Sequence, residues 1–157
     1  MGLAPYGEPK YTKLIKDNLI DIKEDGTFKL DISYFKYHRG FRMTSRKFHK
    51  LFGRSPRKGD TELSQFHMDI AASIQAVTEE VVLKLARSLR EETGVKNLCL
   101  AGGVALNCVA NGVLLREKIF ENIWIQPASG DAGSSLGGAL IGWHQYLQKE
   151  RTPNPND

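Results

Sequence analysis

Two adjacent glycines, Gly102 and Gly103, stand between a short apolar run and a segment with helical spacing. Bare glycine backbone in such a turn can approach a phosphate group, which the N–H groups of the next helical turn can bind. Asn107 follows, where its amide could contact a ribose or phosphate oxygen, although taken alone it is better explained as a helix cap. The pattern favours a phosphate-binding loop, and a simple tight turn is the alternative.

Asp131 stands at or just before the start of the last predicted helix. A carboxylate there could cap the helix or supply a hard oxygen ligand to a metal ion beside the bound phosphates, and its position alone does not separate these roles. The four histidines, His38, His49, His67 and His144, form no i,i+4 pair and no HExxH pattern, which predicts no complete histidine metal site. A P-loop and a G-x-S-x-G elbow are also missing, so the chemistry should depend on phosphate, metal and positioning.

The elements around these loops alternate in the order of an α/β fold. Residues 95–101 form a short apolar run between glycines, as expected for a buried strand, and residues 122–126 predict a second strand. Helical spacing covers 108–118 and 136–150. The order predicts parallel strands with ligand loops at their carboxyl ends.

Upstream of the first strand, residues 63–93 contain no glycine or proline and predict one long helix that ends at Gly94 and crosses the domain. Its first half should be buried, and its second half should be buried on one face only. The region 18–35 predicts a hairpin around the turn Asp25-Gly26, and residues 1–9 predict a loop. The apolar stripe of the long helix is Phe66, Ile70, Ile74, Val77, Val81, Leu85 and Leu89.

The net charge of +4 arises in one segment, because residues 36–58 carry nine basic residues and no acidic one. The rest of the chain has 13 basic and 18 acidic residues, a net charge of −5. Aromatic residues interleave with the cations, which suits nucleic-acid binding by 36–58, and simple packing of those aromatics is the alternative. The acidic remainder favours a local basic surface over a nucleic-acid-binding domain.

The 157 residues contain no run long enough to span a membrane and no secretory signal pattern, which predicts a soluble, cytoplasmic protein. Cys99 and Cys108 fit neither a disulfide framework nor a zinc site, and we expect two buried thiols. Residues 151–157 are polar with two prolines and predict a linker.

Four motifs stand in one order and spacing along nearly the whole chain. Together they closely resemble the O-carbamoyltransferases of nodulation and antibiotic tailoring, and more distantly the tRNA threonylcarbamoyltransferases. Only the region from Tyr11 to about Leu63, which includes the basic segment, matches no motif. The four motifs are MGLAPYG (1–7), DIAASIQAVTEEVVLKL (69–85), LCLAGGVALNCVANGVL (98–114) and IQPASGDAGSSLGGAL (125–140).

The resemblance implies a ribonuclease H-like lobe of the actin, sugar-kinase and heat-shock-chaperone type. It also implies ATP-dependent chemistry, in which carbamoyl phosphate and ATP give carbamoyl-adenylate and a hydroxyl group of a small acceptor attacks the carbamoyl carbon. By motif, Gly102, Gly103 and Asn107 resemble nucleotide-binding residues, and Gly7 resembles a loop position at the adenosine. Asp131 resembles the aspartate that completes an iron-type divalent metal site.

The resemblance further implies parts that this chain does not carry. Two histidines spaced HxxxH and a first phosphate loop belong to an upstream lobe, and a separate adenylate-forming domain follows the tail. Residues 1–150 therefore resemble the second half of a transfer domain, and we expect them to be inactive alone. Another ATPase or kinase of the same superfamily would share the glycine loop and Asp131, but it would not explain MGLAPYG together with LAGGVALN.

Overall fold

The computed structural model describes residues 1–59 and 61–151, and one long helix organises them. The chain alternates helices with two small sheets, and both sheets and three of the other four helices pack along that long helix. The elements are α1 (Thr12–Asn18), β1 (Ile20–Ile22), β2 (Phe28–Leu30), α2 (Arg46–Leu51), α3 (Gln65–Thr93), β3 (Asn97–Leu100), α4 (Cys108–Arg116), β4 (Asn122–Ile125) and α5 (Gly133–Ile141).

Helix α3 confirms the predicted long helix and its end. Gly94 adopts the left-handed conformation with φ 66°, and its N–H donates to the carbonyl of Arg90, as in a glycine C-cap. The predicted apolar stripe is only partly buried, because Ile74 is 49% exposed and Leu85 is 40% exposed. The buried positions include Asp69, Ser73 and Gln75, since polar groups of the N-terminal segment and of the loop after β3 contact one side of the first half of the helix, while Phe66, Ile70 and Val77 pack in an apolar cluster.

The hairpin is antiparallel, as predicted, with Ile20 opposite Leu30. Its turn requires glycine at Gly26, where φ is 84° and a Cβ would lie 2.4 Å from the backbone nitrogen of Leu85. The hairpin turn thus packs directly on α3. Helices α1 and α2 complete an apolar cluster on this half of the molecule, whose buried members are Ile15, Leu19, Tyr34, Phe52 and Val77.

Strands β3 and β4 are parallel, with Leu100 opposite Ile125, and α4 connects them. One face of this pair packs on α3 and α4 around Leu114, whose side chain is fully buried. On the other face the cross-strand partners Cys99 and Trp124 are both exposed. The expectation of two buried cysteines is therefore wrong, because no described element covers this face and Cys108 is exposed as well.

The last helix differs from its predicted span. It starts earlier, at Gly133, and after Ile141 it continues as a π turn over Gly142–Tyr146. None of its residues is buried, and Trp143 remains 52% exposed. An apolar helix without a buried face lacks the packing that normally stabilises such a segment.

The α/β class, the parallel strands and the long helix are confirmed. The assignment to an actin-like, ribonuclease H-like lobe stays a prediction, since the parallel sheet has two strands within the described residues. None of the described helices combines the length and the hydrophobicity needed to cross a bilayer.

Candidate functional site

The loop after β3 has the open backbone that phosphate binding requires. Gly102 adopts φ 92° and ψ 163°, a conformation that only glycine reaches without strain. A Cβ on Gly103 would have no neighbour within 4 Å, so the space beside its backbone is free. The N–H groups of Gly103 and Val104 donate to no acceptor among the described residues, which leaves two donors available to an anion.

Asn107 is the helix cap that its position in the sequence favours. Its Oδ1 accepts the N–H of Ala110 at 3.1 Å and so caps α4. Its Nδ2 donates to Gln75 Oε1 at 3.0 Å, and Gln75 Nε2 donates back to Asn107 Oδ1 at 3.2 Å. One N–H of the Asn107 amide is left for an external acceptor, so its nucleotide role stays a prediction beside a cap that the structure shows.

Gly7 lies in the N-terminal segment and packs against the start of α3, away from the glycine loop. Close packing explains why this position is a glycine. A Cβ at Gly7 would lie 2.1 Å from the carbonyl carbon and oxygen of Met68, so only glycine lets the N-terminal segment touch the helix backbone. The start of the same segment does reach the glycine loop, because Met1 and Gly103 line one cavity of about 320 Å³. The predicted contact of Gly7 with adenosine stays untested.

Buried polar residues of α3, which the sequence reasoning missed, hold the N-terminal segment. Asp69 accepts hydrogen bonds from the Gln65 side chain at 2.8 Å, the Glu8 N–H at 2.9 Å and the Lys10 ammonium at 3.1 Å. The Gln65 amide, then the Glu8 N–H, hold the pKa of the Asp69 carboxyl below its usual value. Ser73 Oγ accepts the N–H of Tyr11 at 2.9 Å. Apart from their place as isolated polar residues inside the predicted buried half, Asp69 and Ser73 carry no sequence signal of this role.

The loop after β4 lies against the loop after β3. A Cβ on Gly130 would lie 3.6 Å from Leu106 Cδ1, so the two loops meet at the carboxyl ends of the parallel strands. Gly133 must be glycine, because a Cβ there would lie 2.3 Å from the carbonyl oxygen of Ala128. The sequence predicted this meeting of the two loops, and the structure confirms it.

Asp131 is exposed and does not cap α5. The N-cap position belongs to Ala132, and Asp131 uses only its backbone carbonyl, which accepts the Ser134 N–H at 3.2 Å. Its carboxylate accepts no hydrogen bond within the described part of the chain. The helix-cap alternative is therefore wrong, and the carboxylate is free for a partner outside the chain.

Ser129, two residues before Asp131, carries an unpartnered buried hydroxyl. The residue is 7% exposed, and its Oγ has no hydrogen-bond partner among the described residues. A buried hydroxyl without a partner is costly, and Ser129 Oγ is available to hydrogen-bond a bound group. No motif in the sequence points to Ser129.

The predicted metal site requires several ligating side chains close together. No group of three or more His, Cys, Asp or Glu side chains is placed to hold an ion within residues 1–59 and 61–151. A free carboxylate suits one oxygen ligand of a divalent ion, so Asp131 fits as a single ligand. The described chain alone does not fit a complete metal site.

Comparison with known proteins identifies the family of this chain. The family model described as "Carbamoyltransferase N-terminus" matches residues 1–140. An uncharacterised protein of Synechocystis is 65% identical over 96% of this chain and 25% of its own length. The nodulation proteins NolNO of Sinorhizobium fredii and NolO of Bradyrhizobium diazoefficiens are 38% and 37% identical over 90% of this chain.

The chain spans 19% of NolNO and 24% of NolO, and thus a quarter or less of the length of these relatives. Because the family model covers most of the sequence, the chain belongs to the carbamoyltransferase family, within the part described as its N-terminus.

Proposed function

We propose that this chain forms the nucleotide side of an ATP-dependent O-carbamoyltransferase. Carbamoyl-adenylate, made from carbamoyl phosphate and ATP, donates its carbamoyl group to a hydroxyl group of a small acceptor. The acceptor oxygen attacks the carbamoyl carbon, the bond from that carbon to the phosphate oxygen breaks, AMP leaves with the bonding electrons, and the hydroxyl proton passes to solvent.

The meeting of the two loops is the observation that carries this proposal. Gly103 and Val104 offer free N–H groups beside open space, Ser129 offers a buried hydroxyl without a partner, and their loops adjoin where Leu106 lies beside Gly130. Preorganised donors of this kind suit the phosphate of an adenylate and the charge that develops on it as AMP leaves. In this proposal Gly102 sets the turn, and Asn107 fixes the loop against α3.

We propose that Asp131 provides one oxygen ligand to a divalent ion, with iron as the candidate that the resemblance implies. The support is chemical, since this carboxylate is exposed and accepts no hydrogen bond in the described chain. The other ligands, including two histidines, would come from outside these residues. A metal that polarises the adenylate would favour departure of the leaving group.

We further propose that the chain works as part of a longer polypeptide and does not transfer carbamoyl groups alone. The uncovered face at Cys99 and Trp124 and the unburied helix α5 support this, because parallel sheets are normally covered on both faces. Residues 151–157, expected to be a linker, lie outside the described residues except for Arg151. Carbamoyl transfer to an acceptor by the purified 157-residue chain would overturn this part of the proposal.

A binding experiment tests the nucleotide site by itself. AMP added to the isotope-labelled chain should shift the backbone amide resonances of Gly103 and Val104 in NMR spectra. Because the remaining parts of the site are expected elsewhere, the affinity should be weak. Shifts confined to other regions, or none at millimolar AMP, would contradict the proposed site.

A further inference from the structure

A basic pocket lies at the opposite half of the chain from the two glycine loops. It is a cavity of about 630 Å³ between the turn at Ile32–Tyr34, the loop at 37–42 and helix α2. This volume is in the range of small-molecule sites, about 300–1,000 Å³. No acidic side chain lines the cavity. Its ionisable lining residues are Lys36, Arg42, Arg46, Lys47 and His49.

Three of those cations have no internal counter-charge. Lys47 is neutralised, because its ammonium lies 3.1 Å from the Asp31 carboxylate. For Lys36, Arg42 and Arg46, no carboxylate lies within 4.0 Å among residues 1–59 and 61–151. Three like charges around one cavity repel each other until an anion binds between them.

The walls that carry these cations are fixed to one another by hydrogen bonds. Ser45, which is 6% exposed, donates its hydroxyl to the Ser33 carbonyl at 3.0 Å and its N–H to the Tyr34 carbonyl at 2.9 Å. The Lys36 N–H donates to the Met43 carbonyl at 3.0 Å. The backbone positions of Lys36 and Arg46 are therefore set before a ligand arrives, which lowers the entropy cost of binding.

The aromatic residues favour a small ligand over a nucleic acid. Phe52 is buried, and Phe35 and Phe48 pack against the cluster that contains it, so these rings are not available for stacking. Of the aromatic residues that interleave with the cations, only Tyr37 and Phe41 are largely exposed; the others are Phe35, Phe48 and Phe52. Outside residues 36–58 the chain has a net charge of −5, which repels a long polyanion.

We propose that this pocket binds a small phosphate-bearing ligand, of the di- or triphosphate class, through Lys36, Arg42 and Arg46. Arginine guanidinium groups bind phosphate oxygens in a bidentate manner, and a lysine ammonium adds a point charge. The pocket shares no lining residue with the cavity beside Gly103. It is thus a second anion site, independent of the proposed carbamoyl chemistry.

The test compares two double variants of the full chain that lose the same charge. Arg42→Gln with Arg46→Gln alters the pocket, whereas Lys50→Gln with Lys58→Gln alters the same basic segment outside it. Inorganic triphosphate is titrated into each protein by isothermal calorimetry, and circular dichroism checks that both variants fold. We expect the pocket variant to lose affinity by about 100-fold, since two guanidinium groups that bind phosphate oxygens are removed, and the control to change by less than about threefold.

Three results would overturn the proposal. Equal losses in both variants would show diffuse attraction to the segment, and no binding by the unmodified chain would exclude the site. A single-stranded oligonucleotide that binds more tightly than triphosphate, with a steep salt dependence that both variants reduce, would instead favour nucleic-acid binding by 36–58.

Discussion

Gln75 and Asn107 exchange two amide hydrogen bonds, of 3.0 and 3.2 Å, and so join the middle of α3 to the loop that follows β3. Asn107 also caps α4, which makes this pair the link between the long helix, the candidate phosphate loop and the crossover helix. The loop is therefore held by this part-buried amide pair as well as by its own backbone hydrogen bonds, from Ala105 to Gly102 and from Asn107 to Val104.

We predict that Asn107→Ala destabilises the chain by about 1–3 kcal/mol, because it leaves Gln75 Oε1 and the Ala110 N–H without partners, whereas Gln75 Nε2 still donates to Glu79. Urea unfolding at neutral pH measures this change. Asn122→Ala removes an exposed amide pair with Asn97 and serves as the control, with an expected loss below about 1 kcal/mol. Equal losses for the two variants would contradict the linking role of Asn107.

Gly7→Ala should loosen the N-terminal segment, since the new Cβ would lie 2.1 Å from the Met68 backbone. The expected cost is about 1–3 kcal/mol, the range for overpacked sites, together with faster hydrogen exchange of the Glu8 and Tyr11 amides. Gly2→Ala is the matched control, because a Cβ at Gly2 has no neighbour within 4 Å. If both variants unfold at the same urea concentration as the unmodified chain, the packing explanation of Gly7 is wrong.

Acid should weaken the attachment of the N-terminal segment through Asp69. The pKa of this carboxyl is lowered in the folded chain by the Gln65 amide and the Glu8 N–H, whereas in the unfolded chain it takes its ordinary value of 3.8. Its contribution to stability is therefore present above pH 3.8 and is lost as the pH falls through the lowered folded value.

Unfolding free energies of the unmodified chain and of Asp69→Asn, measured from pH 7 to pH 3, test this dependence. The difference between the two proteins should be largest at pH 7 and should shrink below about pH 4. Asp31, whose pKa is lowered to about 2, contributes equally to both curves and cancels in the difference. A difference that is constant with pH would rule out titration of Asp69 as the cause.

Ser129→Ala separates a ligand contact from a packing role. Removal of a buried hydroxyl without a partner should leave the free energy of unfolding unchanged or slightly raised. AMP binding, followed by NMR titration, should weaken by about tenfold if the hydroxyl meets the phosphate. Ser135→Ala is the control, because that hydroxyl is exposed and donates to the Ala132 carbonyl. Unchanged AMP affinity in Ser129→Ala would remove Ser129 from the site.

The sequence predicts those features of the fold that depend on local signals. Gly94 ends α3 and Gly26 closes the hairpin, each through the conformation of a single residue. The meeting of the two glycine loops also follows from the order of parallel strands.

Other features depend on partners far away in the sequence, and no local pattern contains them. Asp69 binds Glu8 across 61 residues, and Asn107 binds Gln75 across 32, so neither role could be predicted from the surrounding residues. The predicted stripe fails at Ile74 for the same reason, because hydropathy does not indicate which element covers a helix face.

The central claim is that the two loops hold the nucleotide of an ATP-dependent carbamoyl transfer. The most direct measurement follows ATP in the presence and absence of carbamoyl phosphate, with the proposed longer polypeptide and with its Asp131→Ala variant. We predict that AMP and pyrophosphate form only when carbamoyl phosphate is present, and that carbamoyl transfer to the acceptor is lost in the variant. ADP as the product, with phosphate delivered to the acceptor and no need for carbamoyl phosphate, would contradict the account and indicate a kinase.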